Sequence, residues 1–540
     1  MLRRYPILIS AMILSIAGIC SAQTVGEQID EAHRTLQSQQ NDQASTLAEL
    51  RAATEANKAA NEKTNERITT LHDGTGPVEP DPGVPPDTGT PPDVPPDTGT
   101  PPDGQRDDRG NNLHYPTYWT RGWVMLDLAK QADLWRDNGP GKPQTAFVYW
   151  KTGFPPPGSY TAVWTGSGSI RFDFVNISRT TSNSVTFTIN PQGVMMTKIG
   201  EVSSLTILPD DAEPSTFHPE YLKSLEPFSV LRFMDWGKTN TTRDVAWSDR
   251  TTPDMQSGET AVPLEHMIEL SNILNADPWF CMPHTASDDY IRKYAQMVKA
   301  DLHPDATIYV EWSNEVWNAQ FGVYNWVKSR SGGNDLGHSD FYATWAERSI
   351  NTFRIWREVF AGEEHRIVRV AATQLQNPDV GNKYTSALNG EFDAFAPSGY
   401  VGLKNSRIPV GATSDTLIDM LLESIPRDNA GWYQAHADRA AIWSAALGRK
   451  IRLITYEAGQ HLSPNGDDRV HWYQAYLEAQ VSPRMFDVYI ANIAAFDAAG
   501  GDLFTAFNDV GQRSKHGSWG HRLYQNQPLS EAFKLQALLN

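Results

Sequence analysis

The chain has 540 residues, a net charge of −18, 17 Trp within an aromatic content of 10 %, and two cysteines, Cys20 and Cys281. That charge argues against nucleic acid and anionic membrane surfaces as partners, and more weakly against polyanionic sugars. The length allows two or more domains, and a single cysteine outside the N-terminal segment leaves no disulfide scaffold.

Met1 to Ala22 reads as a secretory signal: Arg3 and Arg4, an apolar run from Ile7 to Ile19, then small residues before a cut. The run is too short for a good membrane span. Lipid attachment at Cys20 is the rival reading, and Ile19 before it is a poor fit. Residues 23–72 are polar and rich in Ala, Glu and Gln. Ile29, Leu36, Leu50 and Leu71 share one heptad position, but Gln43, Asn57 and Thr64 interrupt it. This predicts a helix with a weak coiled-coil pattern, through which the chain would oligomerise, against a solvated helix as the plain alternative. Residues 73–110 form a linker in which Val-Pro-Pro-Asp-Thr-Gly-Thr-Pro-Pro-Asp occurs at Val84 to Asp93 and again at Val94 to Asp103. Such a segment cannot bury a core and favours extended polyproline structure.

From residue 111 the composition turns globular. Tyr160 to Trp164, Ser169 to Phe174 and Ser184 to Ile189 alternate polar and apolar residues, with Gly166, Gly168 and Asn183 between them. Period-two alternation predicts an antiparallel β domain over 111–199 that packs against the C-terminal domain, with a sugar-binding module as the alternative. Over 200–540 the rhythm becomes strand then helix. Strands are expected near Ser204–Leu208, Ser229–Met234, Pro278–Met282, Thr307–Trp312, Ile367–Ala372, Phe392–Ala396, Ile451–Tyr456 and Leu503–Phe507. Tyr342, Trp345, Ser349, Phe353, Trp356 and Phe360 recur at helical spacing, and Ser287 is suited to cap a second helix. The fold class is therefore α/β: a (β/α)8 TIM barrel preceded by a small antiparallel sandwich-like domain. An open doubly wound sheet is second, since no Gly-rich phosphate loop follows any strand.

Polar and aromatic residues collect where these strands end. The second strand ends in Arg232 and Trp236, the third in His284, the fourth in Asn314, Glu315 and Trp317. Tyr400 follows the sixth, Glu457 and His461 the seventh, Asn508 and Trp519 the eighth. Two Glu residues at two strand ends are what retaining glycoside hydrolysis requires. Glu311 competes with Glu315, but alternation turns it towards the helices if Val310 and Trp312 face in.

This pattern resembles clan A, the large group of retaining glycoside hydrolases with (β/α)8 barrels, over about residues 200–540. The resemblance implies that Glu315, in the Asn314-Glu315 pair on strand four, is the acid/base and that Glu457 on strand seven is the nucleophile. It further implies that Arg232 lies near the nucleophile, and that His284, Tyr400 and Trp519 line the substrate cleft. No family within the clan is assigned. The residues support the same roles: indoles near Glu315 would raise its proton affinity, Arg232 would keep Glu457 ionised, and Asn314 would bind the sugar 2-hydroxyl. Each has a bland alternative, such as a structural ion pair for Arg232, a core histidine for His284, or core indoles for Trp236 and Trp519.

No metal or cofactor is expected, because Asn465-Gly466-Asp467-Asp468 lacks the register of a calcium loop. The function expected is an exported or cell-surface retaining glycosidase that degrades a neutral β-linked polysaccharide. A non-catalytic carbohydrate-binding or surface-display protein with an inactive barrel is the alternative, and the intact Glu315 and Glu457 argue against it.

Overall fold

The computed structural model describes residues 109–540 apart from 118–119, 151–155, 190–192, 255–260 and 332–339. The expected signal, the polar helix and the linker up to residue 108 lie outside the described residues. No helix among the described residues is long and apolar enough to cross a membrane.

The main sheet is wholly parallel. Its strands are β1 (Arg109–Asn112), β9 (Val230–Arg232), β10 (Asp277–Met282), β11 (Ile308–Trp312), β12 (Ile367–Thr373), β13 (Ala394–Pro397), β14 (Gly399–Val401), β15 (Arg452–Leu453), β16 (Ala458–Gln460) and β17 (Phe504–Phe507). They are ordered β14-β16-β17-β1-β9-β10-β11-β12-β13-β15. Only Ser398 separates β13 from β14, and Ile454 to Glu457 separate β15 from β16. A parallel bridge from Ile454 to Leu503 ties that second break to the start of β17. The sheet is therefore curled, with one face turned inward and the other covered by helices.

Both faces are apolar, as a helix-covered parallel sheet demands. Trp279, Tyr309, Val370, Ala396, Ile454 and Leu503 pack together on the inner face. Phe280, Val310, Ala371 and Phe395 face outward into a second cluster that includes Trp345, Phe353 and Trp356. Each large side chain buried in this way contributes roughly 1.5–3 kcal/mol relative to exposure. The helix Phe341–Val359 buries Trp345, Ser349, Phe353 and Trp356, as its sequence spacing predicts. Ser287 caps the helix Asp288–Asp301 by accepting from the Tyr290 N–H at 3.2 Å.

Between β1 and β9 lie two antiparallel sheets. One is formed by β2 (Gln144–Trp150), β7 (Gly193–Ile199) and β4 (Ser169–Asp173). The other is formed by β5 (Val175–Thr180), β6 (Ser184–Ile189), β3 (Ser159–Thr165) and β8 (Ser204–Pro209). Trp164, Phe172, Phe187, Met196 and Ile207 share one core between them.

This arrangement corrects the expected start of the parallel sheet. Ser204–Leu208 belongs to β8, antiparallel to β3, and buries only Leu205 and Ile207 on one face. The place beside β9 is taken by β1, so the parallel sheet begins at Arg109, within the expected linker, and the antiparallel sheets run past residue 199. Arg-Gly-Asn-Asn carries no strand signal of its own. It is extended because β17 and β9 both pair with it. Gly110 suits the crowding, since a Cβ there would sit 2.7 Å from Thr505 Oγ1.

Candidate active site

Arg232 ends β9 and points into the curled sheet, fully buried. A guanidinium has five N–H donors, and all five are used. Nη1 donates to Glu457 Oε1 at 2.8 Å and to Asn112 Oδ1 at 2.9 Å. Nη2 donates to Glu311 Oε2 at 2.9 Å and to Asn314 Oδ1 at 2.8 Å, and Nε donates to Glu311 Oε2 at 3.2 Å. The rings of Trp279 and Tyr456 flank the guanidinium at 5.3 and 5.2 Å.

Glu311 corrects the parity expected of β11. Tyr309 and Glu311 face inward, while Val310 and Trp312 join the helix-side core. Past Trp312 the backbone leaves the strand abruptly, with Ser313 at φ 63° and Glu315 at φ 42°. Left-handed conformations are costly for residues with a Cβ and tend to persist where surrounding contacts enforce them. The turn presents the half-buried Glu315 carboxyl between two donors. Tyr456 donates to Oε1 at 2.6 Å, and Asn318 Nδ2 donates to Oε2 at 2.7 Å.

Tyr456 and Glu457 are neighbours in sequence, yet both reach this network. They fall in the break between β15 and β16, where the chain bends and strand alternation is suspended. Glu457 Oε2 accepts from the Tyr400 hydroxyl at 3.0 Å, and Tyr400 comes from β14, which pairs with β16. Asn314 is committed at both ends of its amide: Oδ1 accepts from Arg232 and Nδ2 donates to Asn240 at 3.1 Å. One N–H of Asn314 remains for another acceptor.

Burial pushes the Glu457 carboxyl up to about 8; Arg232 opposes the rise, Glu315 adds to it, and Tyr400 opposes it. This corrects the expectation that Arg232 keeps Glu457 ionised, because burial outweighs the guanidinium. Burial also raises the phenols of Tyr400 and Tyr456 well above their ordinary range, so both remain donors. Burial works against the charge of Arg232, but the carboxyls of Glu311 and Glu457 outweigh it.

The remaining expected residues divide. His461 is exposed, and its ring stands edge-on to Tyr400 at 5.0 Å and to Trp519 at 5.5 Å. Trp519 is half-buried beside Phe507. Gly517, at φ 147°, admits its indole, which a Cβ there would strike at 2.2 Å. Asn508 is buried in the same loop, its N–H on the Trp519 carbonyl at 3.3 Å. Trp317 is half-buried against Tyr456 at 5.8 Å. His284 lies edge-on to Trp326, and burial followed by the charge of Arg330 lowers it to about 4, leaving it neutral near pH 7. Trp236 is a correction: it is fully buried against Phe217, Tyr221 and Phe233, with its N–H on the His114 carbonyl. Its indole belongs to the core because the chain turns away after β9.

Sequence reasoning missed Asn112, Asn240, Asn318 and Tyr456. The last two had a signal, Asn318 lying one turn after Glu315 and Tyr456 lying directly before Glu457. Among the described residues, no group of three or more His, Cys, Asp or Glu could hold a metal ion.

No family model matches the chain, and no curated protein matches it. It is similar to the solved structure of a family 51 α-L-arabinofuranosidase from Bifidobacterium longum, at 10 % identity and a TM-score of 0.43, over 61 % of this chain and 68 % of that one. A broad-specificity endoglucanase from Clostridium acetobutylicum is similar at 10 % identity and a TM-score of 0.35, over 61 % and 91 %. An endo-1,4-β-D-xylanase from Clostridium thermocellum is similar at 11 % identity and a TM-score of 0.34, over 79 % and 96 %. All three are glycoside hydrolases. At these values the likeness carries nothing about what this chain does, and the site stands on its own geometry.

Proposed function

We propose that the curled sheet is a (β/α)8 barrel and that the chain is a retaining glycoside hydrolase acting on β-linked neutral polysaccharide. Counting β13 with β14 and β15 with β16 gives eight strand positions, with Glu315 after the fourth and Glu457 within the seventh. The observation that carries the reading is the unequal treatment of these two carboxyls. Glu457 is buried and held by a guanidinium and a phenol. Glu315 is half-buried, strained and held by neutral donors.

The chemistry follows from that inequality. Both oxygens of Glu457 accept, from Arg232 and Tyr400, which suits the attacking carboxylate, and Glu315 takes the role of proton donor. Glu457 attacks the anomeric carbon while Glu315 protonates the departing oxygen, leaving a glycosyl ester on Glu457. Glu315, now a carboxylate, takes a proton from water, which attacks the same carbon and releases Glu457. The free N–H of Asn314 can donate to the sugar 2-hydroxyl, and Trp317 against Tyr456 and Trp519 against His461 offer apolar faces for the sugar. Export by the segment at 1–22, to the cell surface or beyond, belongs to the same proposal.

The test is the anomeric configuration of the first product, followed by proton NMR on β-glucans, xylans, mannans and galactans. Retention is expected on the substrate that is cleaved. Inversion would overturn the mechanism, and absence of cleavage across the panel would overturn this substrate class.

A further inference from the structure

Glu311 has no part in the steps above, yet it is the second carboxylate on the same arginine. Its side chain is 3 % exposed and that of Arg232 is 0 % exposed. Besides the two bonds from Arg232, Oε2 accepts from Trp279 Nε1 at 2.9 Å and from Cys281 Sγ at 3.4 Å. Glu311 and Glu457 therefore divide one guanidinium, which cannot lose its proton or rotate without breaking several bonds.

We propose that Glu311 is a positioning residue for this reaction: it aims Arg232 at Glu457 and takes up part of its charge. The proposal rests on the reading of Glu457 as nucleophile. A carboxylate facing an undivided arginine is held more tightly as an anion, and is correspondingly less nucleophilic towards carbon. Arg232 opposes the rise that burial imposes on Glu457, and sharing the arginine leaves that carboxyl less tightly held. The other titratable groups around this unit are Cys281, Asp235, Glu315, Tyr384, Tyr400 and Tyr456. Burial holds the thiol and the three phenols protonated, so Asp235 and Glu315 are the carboxyls besides Glu311 that bear on Glu457.

Glu311→Gln removes one negative charge and leaves the full attraction of Arg232 to Glu457. Both limbs of the pH profile of kcat/KM, measured on an aryl glycoside that the wild type cleaves, should move to lower pH by roughly one unit or more. Glu311→Asp keeps the charge but shortens its reach, so the same displacement should be smaller, with kcat reduced more than KM. A purely structural Glu311 would lower activity and leave the limbs in place. Folding is checked by circular dichroism, and if Glu311→Gln does not fold, the displacement in Glu311→Asp decides. Unmoved limbs in a folded variant overturn the proposal, as does failure of both variants to fold. A wild type that cleaves no glycoside overturns the functional reading instead.

Discussion

Tyr456 donates its phenolic hydrogen to Glu315 Oε1 at 2.6 Å, from the position next to Glu457 in sequence. One bend in the chain thus supplies a carboxylate to the arginine and a hydrogen-bond donor to the opposite carboxyl. Tyr456→Phe leaves the Glu315 carboxyl held by Asn318 alone. A hydrogen bond to a charged group is worth about 1.5–3 kcal/mol, so kcat should fall by roughly 10- to 100-fold. An unchanged kcat would show that this contact does not position Glu315.

Replacing the two carboxyls should have opposite stereochemical consequences. Glu457→Ala should lose nearly all activity, with external azide restoring it as an inverted glycosyl azide. For Glu315→Ala the loss should be about 10²- to 10⁴-fold on unactivated substrates and smaller on activated aryl glycosides. Azide should then rescue turnover with retention. Identical stereochemistry in both rescues, read by NMR, would refute the assignment.

Glu457 must lose its proton to attack carbon, and burial raises it to about 8, so activity should rise as pH approaches 8. Stability follows the same group. The folded chain binds this proton more tightly than the unfolded chain, whose Glu value is 4.5. The stabilisation is fully present below 4.5 and is lost as pH rises towards 8. Thermal midpoints should fall across that window in the wild type and fall less in Glu457→Gln, which cannot ionise. Parallel slopes in a thermal melt series would contradict the raised value of buried Glu457.

Truncation tests the first strand. A chain beginning at residue 105 keeps β1 and should fold and cleave soluble substrate like the full chain. One beginning at Leu113 loses the pairing of β1 with β9 and β17, and with it Asn112, which bonds Arg232 and the Tyr456 and Ala506 carbonyls. It should melt at a lower temperature and lose activity. Equal melting temperatures would show that β1 is dispensable.

Much of the parallel sheet was legible because its strands are apolar on both faces. Val230–Arg232, Asp277–Met282, Ile308–Trp312 and Ile367–Thr373 all carry continuous buried runs. The residues that end them in polar groups, Arg232, Glu315 and Glu457, could be picked out by position alone. Arg109–Asn112 could not, because its extended form comes from two neighbouring strands and not from its own side chains. Ser204–Leu208 was misplaced for the converse reason: a strand-like pattern does not name the sheet it joins.

The sequence by itself determined the periodicities, and with them which apolar segments are strands and which polar groups stand at their ends. Tertiary structure alone decided what those groups touch. The inward turn of Glu311 depends on the absolute parity of β11, which an alternating pattern leaves open between two faces. Tyr456 and Glu457 share one site because β15 breaks before β16, and a break cancels the rule that adjacent side chains point apart. Arg232 meets four partners from β1, β11, the loop after it and the bend before β16, brought together only when the sheet curls. Hydrogen bonds act over about 3 Å and sequence spacing says nothing at that range, so the network became visible only in the folded chain.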